Sequence, residues 1–372
     1  MSSCVTKPRL DPIDPVEMLN AQPPFAETIH SPGRECFLFL VDSTCKRIAT
    51  AVLSDSHACW QIRSQRMLSL SLYPCVNRFA PCASEPAMNI PIEAARQFYA
   101  EELQYLAHLK SHAVFTAFAT VPRERFVGPG PWRVLGSGEF RMTEDADPRR
   151  VYHNVLIALD EAKGINNGQP SMWARFIDQL DVRANDRVLH LGCGTGYYTA
   201  ILAEQIGADG KILAVEIDLG VAERARIALA PWPQITVVNG DGSSGPFEPA
   251  DIVVVSAGAT HPLPAWLGAL KPRGKLLFPM TPDAGLGAMV LLTRRSEDNF
   301  AAQFMYGVQF ISFSGARNPE EGRQLAAALH HDEGAAVKSL RCDVHEKEES
   351  CWLHGDRWCF STQEPLPTDS AE

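Results

Sequence analysis

An apolar run, Arg187-Val188-Leu189-His190-Leu191, leads into glycines at three alternate positions, Gly192, Gly194 and Gly196. A helix-like pattern then begins with Tyr197, Tyr198, Ile201, Leu202 and Ile206. This order constrains the chain more than any other feature. A short buried strand that ends in a glycine turn and opens a helix leaves backbone N–H groups free at the helix start. The glycines also let the backbone approach a ligand closely. Such a turn suits a nucleotide-like ligand. The dinucleotide fingerprint G-x-G-x-x-G does not fit, because its third glycine would fall on Tyr197 or Thr199.

The neighbours narrow the ligand. Residues 211–217 form a second apolar run, with Glu216 near its end, 20 residues after Gly196. A carboxylate there can accept both hydroxyls of a ribose. Residues 235–238 read as a third strand, followed by Asn239-Gly240-Asp241-Gly242. Asp241 could accept from an adenine amino group, or it could be a solvated turn residue. A G-x-G-x-G turn with acids at the next two strand ends resembles motif I and its successors in class I S-adenosylmethionine (SAM) methyltransferases. The resemblance implies SAM as cofactor, held by Gly192, Cys193, Gly194, Thr195, Gly196, Glu216, Asp241 and Gly242.

Composition excludes other classes. The formal net charge of −10 argues against a nucleic-acid partner held by bulk electrostatics. No apolar run approaches the ~20 residues of a membrane helix. The start carries Lys7, Arg9, Asp11 and Asp14, so no signal-peptide core is read there. Ten cysteines in 372 residues do not make a small disulfide scaffold. The expectation is a cytoplasmic monomer that binds neither membrane nor nucleic acid.

Residues 1–87 differ from the rest. They hold six of the ten cysteines and nine of the 27 prolines, and no helix or strand period is sustained beyond short apolar pieces at 36–41 and 51–53. They read as an extension of unknown role, disordered or not translated, with Met88 as the alternative start; a small domain is the third reading. Residues 88–150 read as two helices (91–110 and 113–120) and a loop or lid at 128–150. Residues 151–159 look strand-like, and 164–170 form a turn into a helix bearing Met172, Trp173, Phe176, Ile177 and Leu180. Strands are expected at 251–256 and 275–278, with a helix near 264–270 and a turn at 271–274. Alternating strands and helices mean a mostly parallel sheet covered by helices on both faces. Residues 288–293 and 300–313, with no helix between them, predict antiparallel closing strands. The domain of this α/β, Rossmann-like class I methyltransferase type is set at 151–318. A C-terminal helix (319–329), a hairpin (351–361) and a loose tail make up 319–372.

At this point the chain resembles the protein-L-isoaspartate O-methyltransferases, which methylate damaged aspartyl residues in proteins. The matching pieces are Val121-Pro122-Arg123-Glu124-Arg125-Phe126, Gln169-Pro170, the Gly192–Tyr197 turn, Glu216, Gly240-Asp241-Gly242 and residues 270–279. The resemblance spans about residues 88–315. It implies methyl transfer to a carboxylate on an aged protein or peptide. It also implies Asn166 and Gln169 near the cofactor, and Asn167, Gly168 and Ser314 near the substrate. Two departures stand out. The family's Ile-Ser-x-Pro turn is here Asn167-Gly168-Gln169-Pro170, so the serine position is Gly168. Motif I, which usually opens with an acid, opens here with His190.

The chemistry asks little of side chains. A sulfonium methyl is already activated, so the task is to align nucleophile, carbon and sulfur. A carboxylate of pKa ~4 is ionised at neutral pH and needs no base. The Asn166–Gln169 turn offers amide and backbone donors to such a substrate. His261, after the fourth strand, is the candidate base for a different acceptor. The alternatives are therefore a methyltransferase for another peptide or a small molecule, or a SAM-binding protein without turnover. Cys193 reads as a small residue packed under the ligand. Cys342, His345, Cys351, His354 and Cys359 have spacings that match no familiar zinc pattern, and no metal is assigned.

Overall fold

The computed structural model describes residues 26–29, 36–41, 48–53, 90–136 and 138–367, and divides into two units, Met1–Cys82 and Ala83–Glu372. In the first, β1 (Ala26–Ile29), β2 (Cys36–Val41) and β3 (Ile48–Leu53) pair antiparallel in that order. The apolar pieces at 36–41 and 51–53 are β2 and the end of β3. The other readings of residues 1–87, including a start at Met88, fall on residues outside those described.

The second unit opens with α1 (Ile92–Ala107) and α2 (His112–Thr120), the latter capped by the Ser111 hydroxyl. The segment expected to be a loop or lid instead contributes β4 (Arg133–Leu135) and β5 (Phe140–Met142). With β6 (Leu156–Asp160) and β7 (Ile165–Asn166) they form a small antiparallel sheet ordered β5-β4-β6-β7. The strand-like run at 151–159 starts later than expected, because Pro148–Val151 closes a 3-10 turn capped by Asp147.

Helix α3 (Pro170–Leu180) starts on a proline and buries Trp173, Phe176, Ile177 and Leu180, as the pattern predicted. The central elements follow: β8 (Arg187–Leu191), α4 (Tyr197–Ile206), β9 (Lys211–Glu216), α5 (Leu219–Leu229), β10 (Ile235–Asn239), β11 (Ala250–Val255) and α6 (Pro264–Gly268). They lead to β12 (Leu270–Met280), β13 (Gly287–Arg294) and β14 (Asn299–Val308), then α7 (Pro319–Asp332), β15 (Ser339–Arg341), β16 (Cys351–His354) and β17 (Cys359–Ser361). The turn read at 271–274 lies inside β12, where the pairing with β11 shifts register.

The large sheet runs β10-β9-β8-β11-β12-β13-β14-β15-β17-β16. Strands β10 to β12 are parallel and everything beyond β12 is antiparallel. The sheet is thus half parallel rather than mostly parallel, because β15, β16 and β17 extend it past the expected closing strands. Alternate residues feed two cores. Val188, Ile252, Val254 and Leu277 face the layer of α1 to α5, while Leu189, Leu191, Val253, Val255 and Phe278 face α6 and α7. Strands buried on both faces have to be apolar throughout, which is why these runs read so clearly. The sheet order reverses at β8, between β9 and β11, and a ligand crevice opens at the carboxyl ends of strands at such a point. Among the described residues no helix is long and apolar enough to cross a membrane.

Candidate active site

A cleft of about 730 Å³ opens where β8, β9 and β11 end, and its lining includes the glycine turn, Glu216, Asp241 and Ser256. The three glycines all take positive φ, 71°, 58° and 94°. A side chain on Gly194 would point into open space, with nothing within 4 Å of its Cβ position. Gly194 lines the cleft, and α4 begins there without a side-chain cap. Its first N–H groups are therefore available to a ligand.

Glu216 is 8% exposed and already oriented. Its Oε2 accepts from Gly194 N–H at 2.9 Å and its Oε1 from Asp218 N–H at 3.1 Å. Each carboxylate oxygen has a further lone pair for a ribose hydroxyl. Asp218 caps α5 through Val221 N–H and receives Lys163 Nζ at 2.6 Å, which ties the turn after β6 to the cleft rim. Asp241 is exposed and folded onto its own turn, accepting from the Ser243 backbone N–H and hydroxyl, both at 2.8 Å. Gly242 is buried and its carbonyl accepts from Trp266 Nε1.

His190 is 1% exposed and lies under the glycine turn. Its Nδ1 meets Thr199 Oγ1 at 2.9 Å and its Nε2 meets Ser256 Oγ at 2.8 Å. Burial pushes its pKa down to about 4, so it is a neutral imidazole that links α4 to the end of β11. Cys193 is buried and burial raises its thiol pKa far above the usual range, which removes it as a nucleophile.

The Asn166–Gln169 turn borders the same cleft. Asn166 Oδ1 accepts from Gly168 N–H at 2.9 Å. Asn167 is 7% exposed; its Oδ1 accepts from Ile157 N–H, while its Nδ2 is buried with no partner. Gln169 is exposed at the start of α3. Gly168 has φ 72°, and a Cβ there would lie 2.5 Å from Trp173 Nε1. Trp173 stacks on Tyr198 at 4.9 Å and meets Phe310 edge-on, and Tyr198 Oη donates to the Gly168 carbonyl at 3.2 Å. An aromatic wall therefore occupies the space that a serine side chain would need. Ser314 is exposed at the rim.

The structure separates His261 from this group. It is absent from the cleft lining; its Nδ1 contacts Glu321 Oε2 of α7 at 2.6 Å and its ring stacks on Trp358. The expectation of a base at the crevice is corrected here, because the loop after β11 turns toward α7. Sequence reasoning missed the cleft roles of Trp173 and Tyr198, whose helical spacing is that of ordinary core residues. It also missed Asp218, whose signal was a helix-cap position two residues after Glu216. Arg123, in the Pro-Arg-Glu-Arg-Phe segment, is a scaffold residue. It is fully buried and donates to the carbonyls of Val151, His153 and Val155 at 2.6–2.7 Å, which fixes the approach to β6.

A parallel half-sheet continued by antiparallel strands, with a G-x-G-x-G turn and an acid at a switch-point cleft, fits the class I methyltransferases. The family model Protein-L-isoaspartate(D-aspartate) O-methyltransferase (PCMT) matches residues 138–318. A protein-L-isoaspartate O-methyltransferase of Methanothermobacter thermautotrophicus is 32% identical over 224 residues, 59% of this chain and 95% of that relative. One of Methylorubrum extorquens is 33% identical over 237 residues, 63% of this chain and 93% of its own. A solved protein-L-isoaspartate O-methyltransferase superposes with a TM-score of 0.51 at 22% identity, covering 63% of this chain and 69% of the other, which shows the fold. The chain belongs to the protein-L-isoaspartate O-methyltransferase family, a family of SAM-dependent methyltransferases.

Proposed function

We propose that this protein transfers a methyl group from SAM to a carboxylate on a protein or peptide, as in repair of isoaspartyl residues. The observation that carries the reading is Glu216, fixed by the Gly194 and Asp218 N–H groups beside an open glycine turn. On this reading Gly192, Cys193, Gly194, Thr195, Gly196, Glu216, Asp241 and Gly242 hold the cofactor, with Asn166 and Gln169 at its methionyl side. Bound SAM supplies a methyl group activated by its sulfonium. Glu216 orients the ribose, the α4 N-terminus offers N–H donors, and the Trp173–Tyr198 wall limits water at the cleft. The orphan Asn167 Nδ2 and the turn at Gly168 are suited to hold the acceptor, with Ser314 at the rim. No base is assigned, since an ionised carboxylate does not call for one.

A second reading has a specific observation behind it. Gly168 lacks the family's serine hydroxyl and Trp173 fills its space, which favours an acceptor other than the isoaspartyl carboxylate, still on a peptide or a small molecule. We assign catalysis to residues 151–318, with 88–150 and 319–372 as supporting segments, and the setting to the cytoplasm, as a monomer.

Transfer of labelled methyl from SAM to an isoaspartyl peptide and to its normal aspartyl twin tests the reading with the full chain. Labelling of the isoaspartyl peptide alone is expected. Labelling of neither, with SAM still bound, would move the assignment to another acceptor.

A further inference from the structure

The C-terminal hairpin carries a cluster that the methyl-transfer site does not use. His345, Cys351, His354 and Cys359 bring one ligand atom each to within 4.8 Å of one another. The sequence spacings hide this grouping, and the strand geometry explains it. His354 pairs with Cys359 across β16 and β17, so their side chains share a face. Cys351 and His354 are three residues apart and would point to opposite faces of a regular strand. The pairing shifts register between Cys351 and Leu353, and that irregularity turns both toward the same side. His345 closes the group from the preceding loop, while Cys342 stays outside it.

We propose that these four residues bind a zinc ion as a structural Cys2His2 site. Tetrahedral zinc, with bonds of about 2.3 Å to sulfur and 2.0–2.1 Å to nitrogen, requires a sulfur-to-nitrogen separation of about 3.5 Å between two ligands. Cys351 Sγ and His345 Nε2 are 3.6 Å apart. His345 presents Nε2 because its Nδ1 faces the Asp343 carbonyl at 3.0 Å and carboxylate at 3.3 Å, the outer-shell partner that zinc-bound histidines usually have. Glu348 N–H donates to Cys351 Sγ at 3.4 Å, a contact that stabilises a thiolate. His354 Nδ1 is buried with no hydrogen-bond partner. An orphaned imidazole nitrogen beside two free thiols is costly without a ligand and accounted for with one. Two thiolates neutralise the ion, which suits a half-buried site. Four protein ligands close the coordination sphere, so the role is structural and not catalytic.

The site would hold an element that packs on the methyltransferase domain. Trp352 of β16 donates to Asp332 of α7 at 2.7 Å, and Trp358 stacks on His261. Arg341 ties the loop before the hairpin through Asp343 and Glu348. Zinc is therefore expected to raise the melting temperature of this part of the chain and to leave SAM affinity unchanged.

The test uses the full chain, reduced and stripped with a chelator, then titrated with zinc alone and separately with cobalt(II). The expected result is one zinc per chain, with the cobalt form showing tetrahedral d–d absorption and a thiolate charge-transfer band. Both should be lost in Cys351→Ser and Cys359→Ser and kept in Cys342→Ser. Because a serine variant can fail to fold, metal-dependent protection from alkylation is mapped by mass spectrometry in the unmutated chain. Zinc should protect Cys351 and Cys359 and leave the reactivity of Cys342 unchanged. Absence of stoichiometric uptake by the reduced chain, a cobalt spectrum without a thiolate band, or protection confined to other cysteines would overturn the proposal.

Discussion

Substituting Gly168 by serine installs the residue that the family resemblance implies for this turn, and in this chain it should do harm. Gly168 has φ 72°, where a residue with a Cβ pays ~1–2 kcal/mol. The added Cβ would lie 2.5 Å from Trp173 Nε1 and 2.8 Å from its Cδ1. Trp173 is not free to swing away, being 2% exposed and stacked on Tyr198. Forcing an atom into such packing costs ~1–3 kcal/mol. The two terms together give a loss of about 2–5 kcal/mol, or a fall in Tm of roughly 4–20 °C for a domain of this size. Gly168→Ala carries the same two penalties and should lose nearly as much, so the serine–alanine difference isolates the hydroxyl. Urea unfolding of the three chains, with m compared across them, measures the losses. Labelled-methyl transfer to an isoaspartyl peptide should not increase in Gly168→Ser. Stability within about 0.5 kcal/mol of the parent in either variant would refute the steric argument, since that is the range of a neutral surface change.

Further outcomes follow from the same geometry. Glu216→Gln removes a charged acceptor and should weaken SAM binding by about 10–100-fold, read by calorimetry, given the ~1.5–3 kcal/mol of a charged hydrogen bond; unchanged affinity would remove Glu216 from the site. Arg123→Met removes the donor from the Val151 and Val155 carbonyls, while the His153 carbonyl keeps Val155 N–H, and should cost ~2–6 kcal/mol in urea unfolding; a loss under about 1 kcal/mol would show that Arg123 is not a scaffold residue. His190 titrates in the unfolded chain near 6.5 and in the folded chain near 4, so the unfolded chain binds the extra proton between those values. Stability should fall as pH drops from about 6.5 toward about 4, by at most about 3 kcal/mol from this group, and His190→Asn should flatten that slope; an unchanged slope counts against the buried neutral imidazole. His261→Ala should leave kcat within about twofold while lowering stability by ~1–3 kcal/mol; loss of turnover with folding intact would return His261 to the catalytic machinery.

What could be read in the chain beforehand depended on how local the constraint was. The runs at Arg187–Leu191 and Ala250–Val255 are apolar because both faces of a central strand are buried, so they were legible residue by residue. The segment at 128–150 was not. Its strands are three residues long and exposed or half-exposed, too short for a period to show. The site divides in the same way. The place of Glu216 in the cleft was legible because a strand end after a glycine turn puts an acid at the crevice. His261 was misread because a strand end fixes where a loop starts and not where it goes.

By itself, the sequence determined the α/β order, the existence of the central parallel strands, the glycine turn and the acid that follows it, because each is set by covalent neighbours and by the period of a single element. Only the tertiary structure decided three things. Trp173 and Tyr198, 25 positions apart, stack as one wall against Gly168. His261 belongs to α7 and the hairpin. Two cysteines and a histidine of β16 and β17 and a histidine of the loop before them, at unpromising spacings, bring their ligand atoms within 4.8 Å of one another. Each of these depends on how separate elements pack and on one register shift, and neither leaves a mark in the spacing of residues along the chain.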